Sequence, residues 1–300
     1  MEATNFYSHG KLLLTGEYFV LDGAKALAIP TRFGQSLHIE KGTREGLHWV
    51  SLDAEGNTWF EAVYTLFDFT TSTNSSIAET LQRILLKARK LNPSFLKNTT
   101  SIKVVSSLDF PRNWGLGTSS TLINNIAQWA EVDAYQLLQE SFGGSGYDIA
   151  AAQHNQPILY QLDNGIPKIT EVSFPWDFQE ELLFVHLNQK KDSKEGIQHY
   201  RSKSIDEEIL NTISELSQSI LNASSLLAFE KFINLHEELI ANSLGLTPVK
   251  ATYFPDYPGA IKSLGAWGGD FILATRAKEN AHYFTKKGYT TQLGFQEMIL

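Results

Sequence analysis

The chain contains no cysteine, an absence that removes disulfide frameworks, thiolate nucleophiles, iron–sulfur clusters and Cys-based zinc sites together. Side-chain metal ligation is left to His and carboxylates, and catalysis to oxygen, nitrogen or a cofactor. The eight His residues form no H-E-x-x-H and no close carboxylate set, so a His-based metal site has no support. Long apolar runs are also missing: no segment reaches the roughly 18 apolar residues of a membrane-spanning helix. The run Leu12–Leu14 is broken by Thr15 and Gly16, too early for the apolar core of a signal peptide, and a cytoplasmic protein is the expectation. Positive charge is in deficit. With 25 Lys and Arg against 33 Asp and Glu the formal charge is −8, which gives no general footprint for nucleic acid or an anionic membrane surface.

What is present is an ordinary globular composition, 42% hydrophobic and 19% charged over 300 residues, which excludes disorder and suits two compact units or one large one. Short apolar or alternating runs at Lys11–Leu14, Tyr18–Leu21, Ala26–Ile29, Ser36–Ile39, Leu47–Leu52 and Thr58–Tyr64 predict a β-rich start. After a polar break at Thr70–Ser76, the spacing of Ile77, Leu81, Ile84, Leu85 and Ala88 predicts a helix ending near Asn92-Pro93. Further strands are expected at Ser101–Ser106, Pro157–Leu162, Leu182–Leu187 and Phe271–Thr275, and helices over 204–222, 226–244 and around 278–287. Strands and helices mix in both halves, the pattern of an α+β protein, with a boundary expected near 172.

Three glycine-rich stretches carry the candidate chemistry. Gly115-Leu116-Gly117-Thr118-Ser119-Ser120 precedes a helical pattern through Leu122, Ile123, Ile126 and Ala130. Glycines admit an anion close to the backbone, and a helix start turns free N–H groups and its positive dipole end toward it. The segment fits a phosphate cradle with a hydroxyl for Mg²⁺, and it equally fits an ordinary Ser N-cap after a turn. Gly143-Gly144-Ser145-Gly146 leads to Asp148, which suits either a general base in a cleft or a first-turn carboxylate stabilised by a helix dipole. Gly265-Ala266-Trp267-Gly268-Gly269 is the third stretch. Lys11, in the opening strand, would pair with a carboxylate or stand as a solvated edge charge. The chain has no G-x-x-x-x-G-K-[ST] and no strand–GxGxxG–helix signature, so P-loop and Rossmann assignments lack support.

Taken in order, Gly-Lys-Leu-Leu-Leu-Thr-Gly-Glu-Tyr at 10–18, Pro-x-x-x-Gly-Leu-Gly-x-Ser-Ser at 111–120 and Gly-Ala-x-Gly-Gly-Asp at 265–270 resemble the three motifs of the GHMP kinase superfamily. Gly-Glu-Tyr at 16–18, Gly-Ser-Gly-Tyr-Asp at 144–148 and Gly-Gly-Asp at 268–270 resemble phosphomevalonate kinases more than mevalonate kinases. The resemblance implies an α+β fold with a ribosomal-S5-like N-terminal domain, set here at 1–172, and a ferredoxin-like C-terminal domain at 173–300. It implies an ATP- and Mg²⁺-dependent kinase, with phosphomevalonate as first acceptor and mevalonate as second. A non-catalytic nucleotide-binding homologue, or a sugar or homoserine kinase, are the alternatives. By motif position Asp148 is the catalytic aspartate and Lys11 its cationic neighbour. Gly115, Leu116, Gly117, Thr118, Ser119 and Ser120 would wrap ATP, with Ser119 on the metal. Glu17, Tyr18, Ser145, Gly146, Gly265, Gly268 and Gly269 would line the substrate site. The expected partner is a small phosphoryl acceptor, in a monomer or homodimer.

Two departures stand out. Leu137 occupies the position where mevalonate kinases place a metal-binding Glu, with Glu140 and Glu131 the nearest alternatives in sequence. Trp267 fills a position that is normally glycine, where an indole would narrow the cleft or cover a nucleobase. A phosphorylated acceptor would call for extra cations, and Lys262, Arg112 and Lys103 lie near the motifs in sequence, although each also fits a solvated surface position.

Overall fold

The computed structural model describes residues 3–189, 193–280 and 282–300. Its contacts divide the chain into two units: residues 1–10, 33–112 and 116–153 form the first, and 11–32, 113–115 and 154–300 the second. Strands β1 (Thr4–Leu13) and β2 (Ala26–Lys41), which pair, each contribute residues to both.

In the first unit β2 is followed by β3 (Gly46–Leu52), β4 (Thr58–Tyr64), α1 (Ser76–Leu91), β5 (Ser101–Leu108), α2 (Thr118–Ala130), α3 (Ala134–Ser141) and α4 (Tyr147–Gln153). The sheet runs β4-β3-β5-β2, with β3 and β5 parallel and the other pairs antiparallel. Its strands bury alternate residues: Phe60, Ala62 and Tyr64 point inward while Glu61 and Val63 face solvent. Helix α1 begins where the Ser75 side chain accepts the Ala78 N–H at 3.1 Å, and it buries Ala78, Leu81, Ile84, Leu85 and Ala88 as one stripe. That stripe joins Leu37, Ile39 and Trp49 from the sheet with Ile123, Ile126 and Leu137 from α2 and α3 in one core. Each fully buried Ile or Leu there contributes on the order of 1.5–3 kcal/mol.

In the second unit the first residues of β2 pair with β6 (Ile158–Asp163), which pairs with β7 (Ile166–Glu171). There follow β8 (Leu183–His186), α5 (Ser193–Arg201), α6 (Glu207–Leu221), α7 (Leu226–Leu244), α8 (Val249–Tyr253), β9 (Ile261–Ser263), β10 (Phe271–Ala274), α9 (Ala277–Asn280), α10 (Tyr283–Lys286), β11 (Gln292–Gly294) and α11 (Phe295–Met298). A separate antiparallel sheet runs β11-β8-β10-β9. The Trp176 indole donates to the carbonyls of Ile220 and Leu221 at the end of α6, at 3.2 and 3.1 Å, and packs with Phe174, Phe178, Phe229 and Phe295.

The α+β class is as expected. Two local expectations change: the helix expected around 278–287 is two short ones, α9 and α10, and residues 18–21 are not a strand, since Phe19–Asp22 form a single 3₁₀ turn entered through left-handed Gly16 and Tyr18. The apolar side chains there are buried by a turn rather than by pleating, so Phe19 and Val20 lie side by side in the interior. The runs at 26–29 and 36–39 belong to one 16-residue strand.

Candidate active site

The first glycine loop opens directly onto α2. Gly115 and Gly117 take left-handed φ of 68° and 90°, and Gly117 is the N-cap, with no side chain to cap the helix. The first helical backbone bond runs from the Thr121 N–H to the Gly117 carbonyl, so the N–H groups of residues 118–120 have no acceptor within the helix. Leu116 is buried and anchors the loop between the two glycines. The Ser120 and Thr121 hydroxyls donate back to the Gly117 carbonyl at 2.9 and 3.1 Å. Thr118 is half-buried and Ser119 exposed, and among the described residues neither hydroxyl makes a hydrogen bond, which leaves both for a ligand.

A buried polar network, which sequence reasoning missed, pins α2. Asn125 donates to the Gln35 carbonyl at 2.8 Å and Asn124 to Ser8 Oγ at 2.8 Å, while Ser8 Oγ donates to Asn125 Oδ1 at 2.7 Å. Thr121 Oγ1 and Gln35 Oε1 lie 2.6 Å apart, and Gln35 Nε2 donates to Ser106 at 2.6 Å. The signal was an Asn-Asn pair inside an otherwise apolar helical pattern, since buried amides persist only when fully partnered.

In the second unit, the residues before this loop are tied down by different partners. Lys11 Nζ donates to the Gly115 carbonyl at 3.2 Å. His186 Nε2 lies 3.1 Å from the Asn113 carbonyl while its Nδ1 accepts the Asn188 N–H at 3.3 Å, an arrangement that assigns the proton to Nε2. Trp114 packs edge-on against Phe271, with ring centroids 5.4 Å apart. The Asp270 carboxylate lies against Gly115: a Cβ there would stand 2.2 Å from Asp270 Oδ2. This close approach requires glycine at 115 independently of its φ.

The second glycine loop is left-handed at Gly143, Gly144 and Gly146, and Gln139 Nε2 donates to the Gly144 carbonyl at 2.7 Å. Ser145 and Gly146 are buried. Asp148 stands in the first turn of α4, half-buried, its Oδ1 accepting the Ile149 N–H at 3.0 Å. Its charge reaches the Tyr135 phenol, whose pKa is raised by burial first and then by the Asp133 and Asp148 carboxylates.

Glu17 and Tyr18 lie inside the second unit. The Glu17 carboxylate is fully buried and binds Lys262, and Tyr18 stacks on Tyr200 with centroids 6.1 Å apart. Burial pushes the Glu17 carboxyl up to about 7, against the pull of Lys262. Trp267 does not stand in an open cleft: its indole is buried with Tyr18, Tyr200 and Ile240. Gly265 and Gly268 are left-handed and half-buried, and Gly269 is buried. Of the other cations considered, Lys103 pairs with Glu40 at 2.9 Å and the Arg112 guanidinium lies over the Trp59 ring at 3.7 Å.

Leu137 is fully buried in the core of the first unit. Glu140 is held by Lys87 and Lys90 at 3.0 and 2.8 Å, and Glu131 is the C-cap of the 13-residue α2, about 20 Å along the helix from the glycine loop. No group of three or more His, Asp or Glu able to hold a metal occurs among the described residues. Ser119 and a nucleotide's own phosphates would suit Mg²⁺, which keeps several waters and takes few protein ligands.

No protein-family model and no curated protein sequence matches the chain. Its similarity is to solved structures. The mevalonate kinase of L. major, in complex with R-mevalonate, is 16% identical at a TM-score of 0.65 and covers 97% of this chain and 94% of its own. The phosphomevalonate kinase of Streptococcus pneumoniae, in complex with phosphomevalonate and AMPPNP, is 17% identical at 0.71, covering 98% of this chain and 100% of its own. The Lactococcus lactis galactokinase, complexed with galactose, is 13% identical at 0.69, covering 98% and 93%. All three are kinases of the GHMP type, and the chain has their fold along nearly its whole length. Among the described residues no helix is long and apolar enough to cross a membrane.

Proposed function

We propose that the chain is an ATP-dependent phosphotransferase of the GHMP type acting on a small acceptor, phosphomevalonate first and mevalonate second. The observation that carries this reading is the first glycine loop: two left-handed glycines open onto a helix whose first N–H groups lack acceptors, beside two unengaged hydroxyls. That arrangement suits the phosphates of a nucleotide. The fold shared with three kinases of different acceptors supports a small-molecule kinase.

In this reading the loop at Gly115–Ser120 carries the nucleotide phosphates, within a nucleotide-binding domain proposed at 1–172, and 173–300 is the proposed C-terminal domain. Mg²⁺ bound with ATP would neutralise the phosphates, with Ser119 as its protein ligand. Asp148 accepts the proton of the attacking acceptor oxygen, and Lys11 holds the Gly115 carbonyl and adds positive charge to the reaction. An alcohol needs such a base, whereas a phosphate monoester, with a second pKa of about 6, is already largely ionised at neutral pH. The motif resemblance at 16–18, 144–148 and 268–270 favours the phosphorylated acceptor. Arg112, exposed and steadied on Trp59, is a guanidinium suited to its phosphate.

The buried Leu137 favours one second reading, a homologue that binds nucleotide without turnover. The test is ATP consumption with Mg²⁺ against mevalonate, phosphomevalonate, homoserine, galactose and other sugars, with Asp148→Asn alongside. Turnover on one acceptor, reduced by about 100-fold or more in the variant, is expected. Nucleotide binding with no turnover on any acceptor would replace the kinase by the second reading.

A further inference from the structure

The third glycine-rich loop is bent against the preferences of its sequence. Gly265 and Gly268 are left-handed at φ of 62° and 87°, as glycines readily are, but Trp267 and Asp270 share that region at 31° and 51°. A bulky side chain there is strained and persists only where its surroundings over-determine it. For Trp267 those surroundings are explicit. The side chain is buried in a cluster with Tyr18, Tyr200, Ile213 and Ile240, and its Nε1 donates to Glu237 Oε1 at 3.2 Å.

The same carboxylate is the centre of a buried charge cluster. Glu237 Oε1 also accepts from Lys262 Nζ at 2.9 Å, and Oε2 accepts from the Ser263 hydroxyl at 2.9 Å. Lys262, fully buried, spends its remaining donors on the Ser263 carbonyl, at 2.6 Å, and on Glu17 Oε1. An ammonium has three N–H donors, and here each has an acceptor. The cluster therefore ties the strand leading into the loop to α7 and to the turn at residues 16–18, while the indole ties the loop itself to the same glutamate. Ion pairs withdrawn this far from water seldom add net stability over apolar packing, so their use is better sought in the geometry they fix.

We infer that Lys262, Glu237 and Trp267 are positioning residues that hold Gly265–Asp270 in one conformation, and that phosphoryl transfer depends on that hold. The inference rests on the reading of this loop as a wall of the substrate and phosphate site. It assigns Trp267 a role opposite to that of a cleft-filling residue: the indole acts from inside the fold, replacing the freedom of a glycine with a fixed anchor.

The test combines a structural readout with a kinetic one on the full chain. Trp267→Phe keeps an aromatic ring and removes the N–H donor. Backbone amides of residues 264–270 should exchange with deuterium about tenfold faster, the loss expected of one hydrogen bond, while amides of α1 and α2 keep wild-type rates. Binding of the non-hydrolysable analogue AMPPNP should be unchanged. Turnover at saturating acceptor should fall by about 100-fold, the effect of displacing a positioning group by about an ångström. Glu237→Gln, which keeps an acceptor oxygen for the indole, should retain more turnover than Glu237→Leu at equal thermal stability. Wild-type exchange in residues 264–270 of Trp267→Phe would overturn the inference, and so would faster exchange with unaltered kcat and acceptor KM. Wild-type protein that turns over no acceptor would sink the kinase reading and the transfer half of the inference with it, whereas exchange would still decide whether these residues hold the loop.

Discussion

Gly115→Ala is the substitution whose cost the structure defines most fully. A new methyl group meets two separate obstacles. The backbone at 115 has φ of 68°, where an L-residue other than glycine costs about 1–2 kcal/mol. The Cβ would also stand 2.2 Å from Asp270 Oδ2 and 2.3 Å from its Cγ, well inside contact distance. Overpacking of this kind costs about 1–3 kcal/mol. The sum, about 2–5 kcal/mol, is a large part of the 5–15 kcal/mol typical of a folded protein. The two parts separate in a double-mutant cycle with Asp270→Gly, which removes the carboxylate and tolerates the left-handed φ of 51° at that position. The double variant should recover the steric part and keep the backbone part, a coupling of about 1–3 kcal/mol. Urea unfolding at constant m measures it from the shifts in midpoint. Additivity to within about 0.5 kcal/mol would refute the packing of Asp270 on Gly115, because uncoupled sites behave that way.

Ser119→Ala should raise the Mg²⁺ concentration needed for half-maximal activity while leaving the unfolding midpoint unchanged; an unaltered Mg²⁺ titration would move the metal ligand elsewhere. Glu17→Gln should change how stability depends on pH. Burial pushes the Glu17 carboxyl up to about 7 from its ordinary 4.5, so between those values the folded state holds a proton that the unfolded state lacks, and stability falls as pH rises through that window. Buried His236, facing Glu17, Lys262 and the Gly16 N–H, is held well below 6.5, so its contribution runs the other way and grows as pH rises toward 6.5. The amide variant removes the first slope and leaves the second, so its Tm should climb from pH 5 to pH 6.5 more steeply than that of the wild type. Parallel Tm profiles would show that Glu17 does not carry that proton.

The elements legible in the sequence are those whose burial follows a simple period. The stripe of α1 emerges because one face is apolar at helical spacing, the helix expected at 226–244 because Phe229, Ile233, Ile240 and Leu244 recur at that spacing although Glu230, His236 and Glu237 share the buried face, and the three glycine loops because their φ values of 62–113° at Gly115, Gly117, Gly143, Gly144, Gly146, Gly265 and Gly268 favour glycine. The turn at 19–22 was unreadable for the opposite reason. Its apolar residues are buried by a tight turn that has no sequence period, and the left-handed Tyr18 that shapes it is a residue type which local preference would not place there. Helix α3 escaped notice because only Ala134, Leu137 and Leu138 are buried along it, too few to mark a period, although Asp133 caps its start by accepting the Gln136 N–H at 2.8 Å.

Lys262 and Trp267 mark a different limit. From sequence, Lys262 reads as a cation for a phosphorylated acceptor or as a solvated charge, and Trp267 in its glycine motif as an indole that narrows the cleft or covers a nucleobase. These readings treat the residue by type, whereas the outcome depends on partners 25 to 245 residues away in the chain. A buried ammonium is tolerable only if every donor is met, and the carboxylates that meet it come from the turn at 16–18 and from α7, neither of which predicts the other. Once Glu237 is in place, the same oxygen that accepts from Lys262 also accepts from the indole, and the left-handed backbone at 267 becomes sustainable. The loop's conformation thus follows from a tertiary constraint imposed on an unfavourable local residue. Such a departure from local preference is where a selected role is to be sought, since a glycine at 267 would adopt the same φ without the cluster.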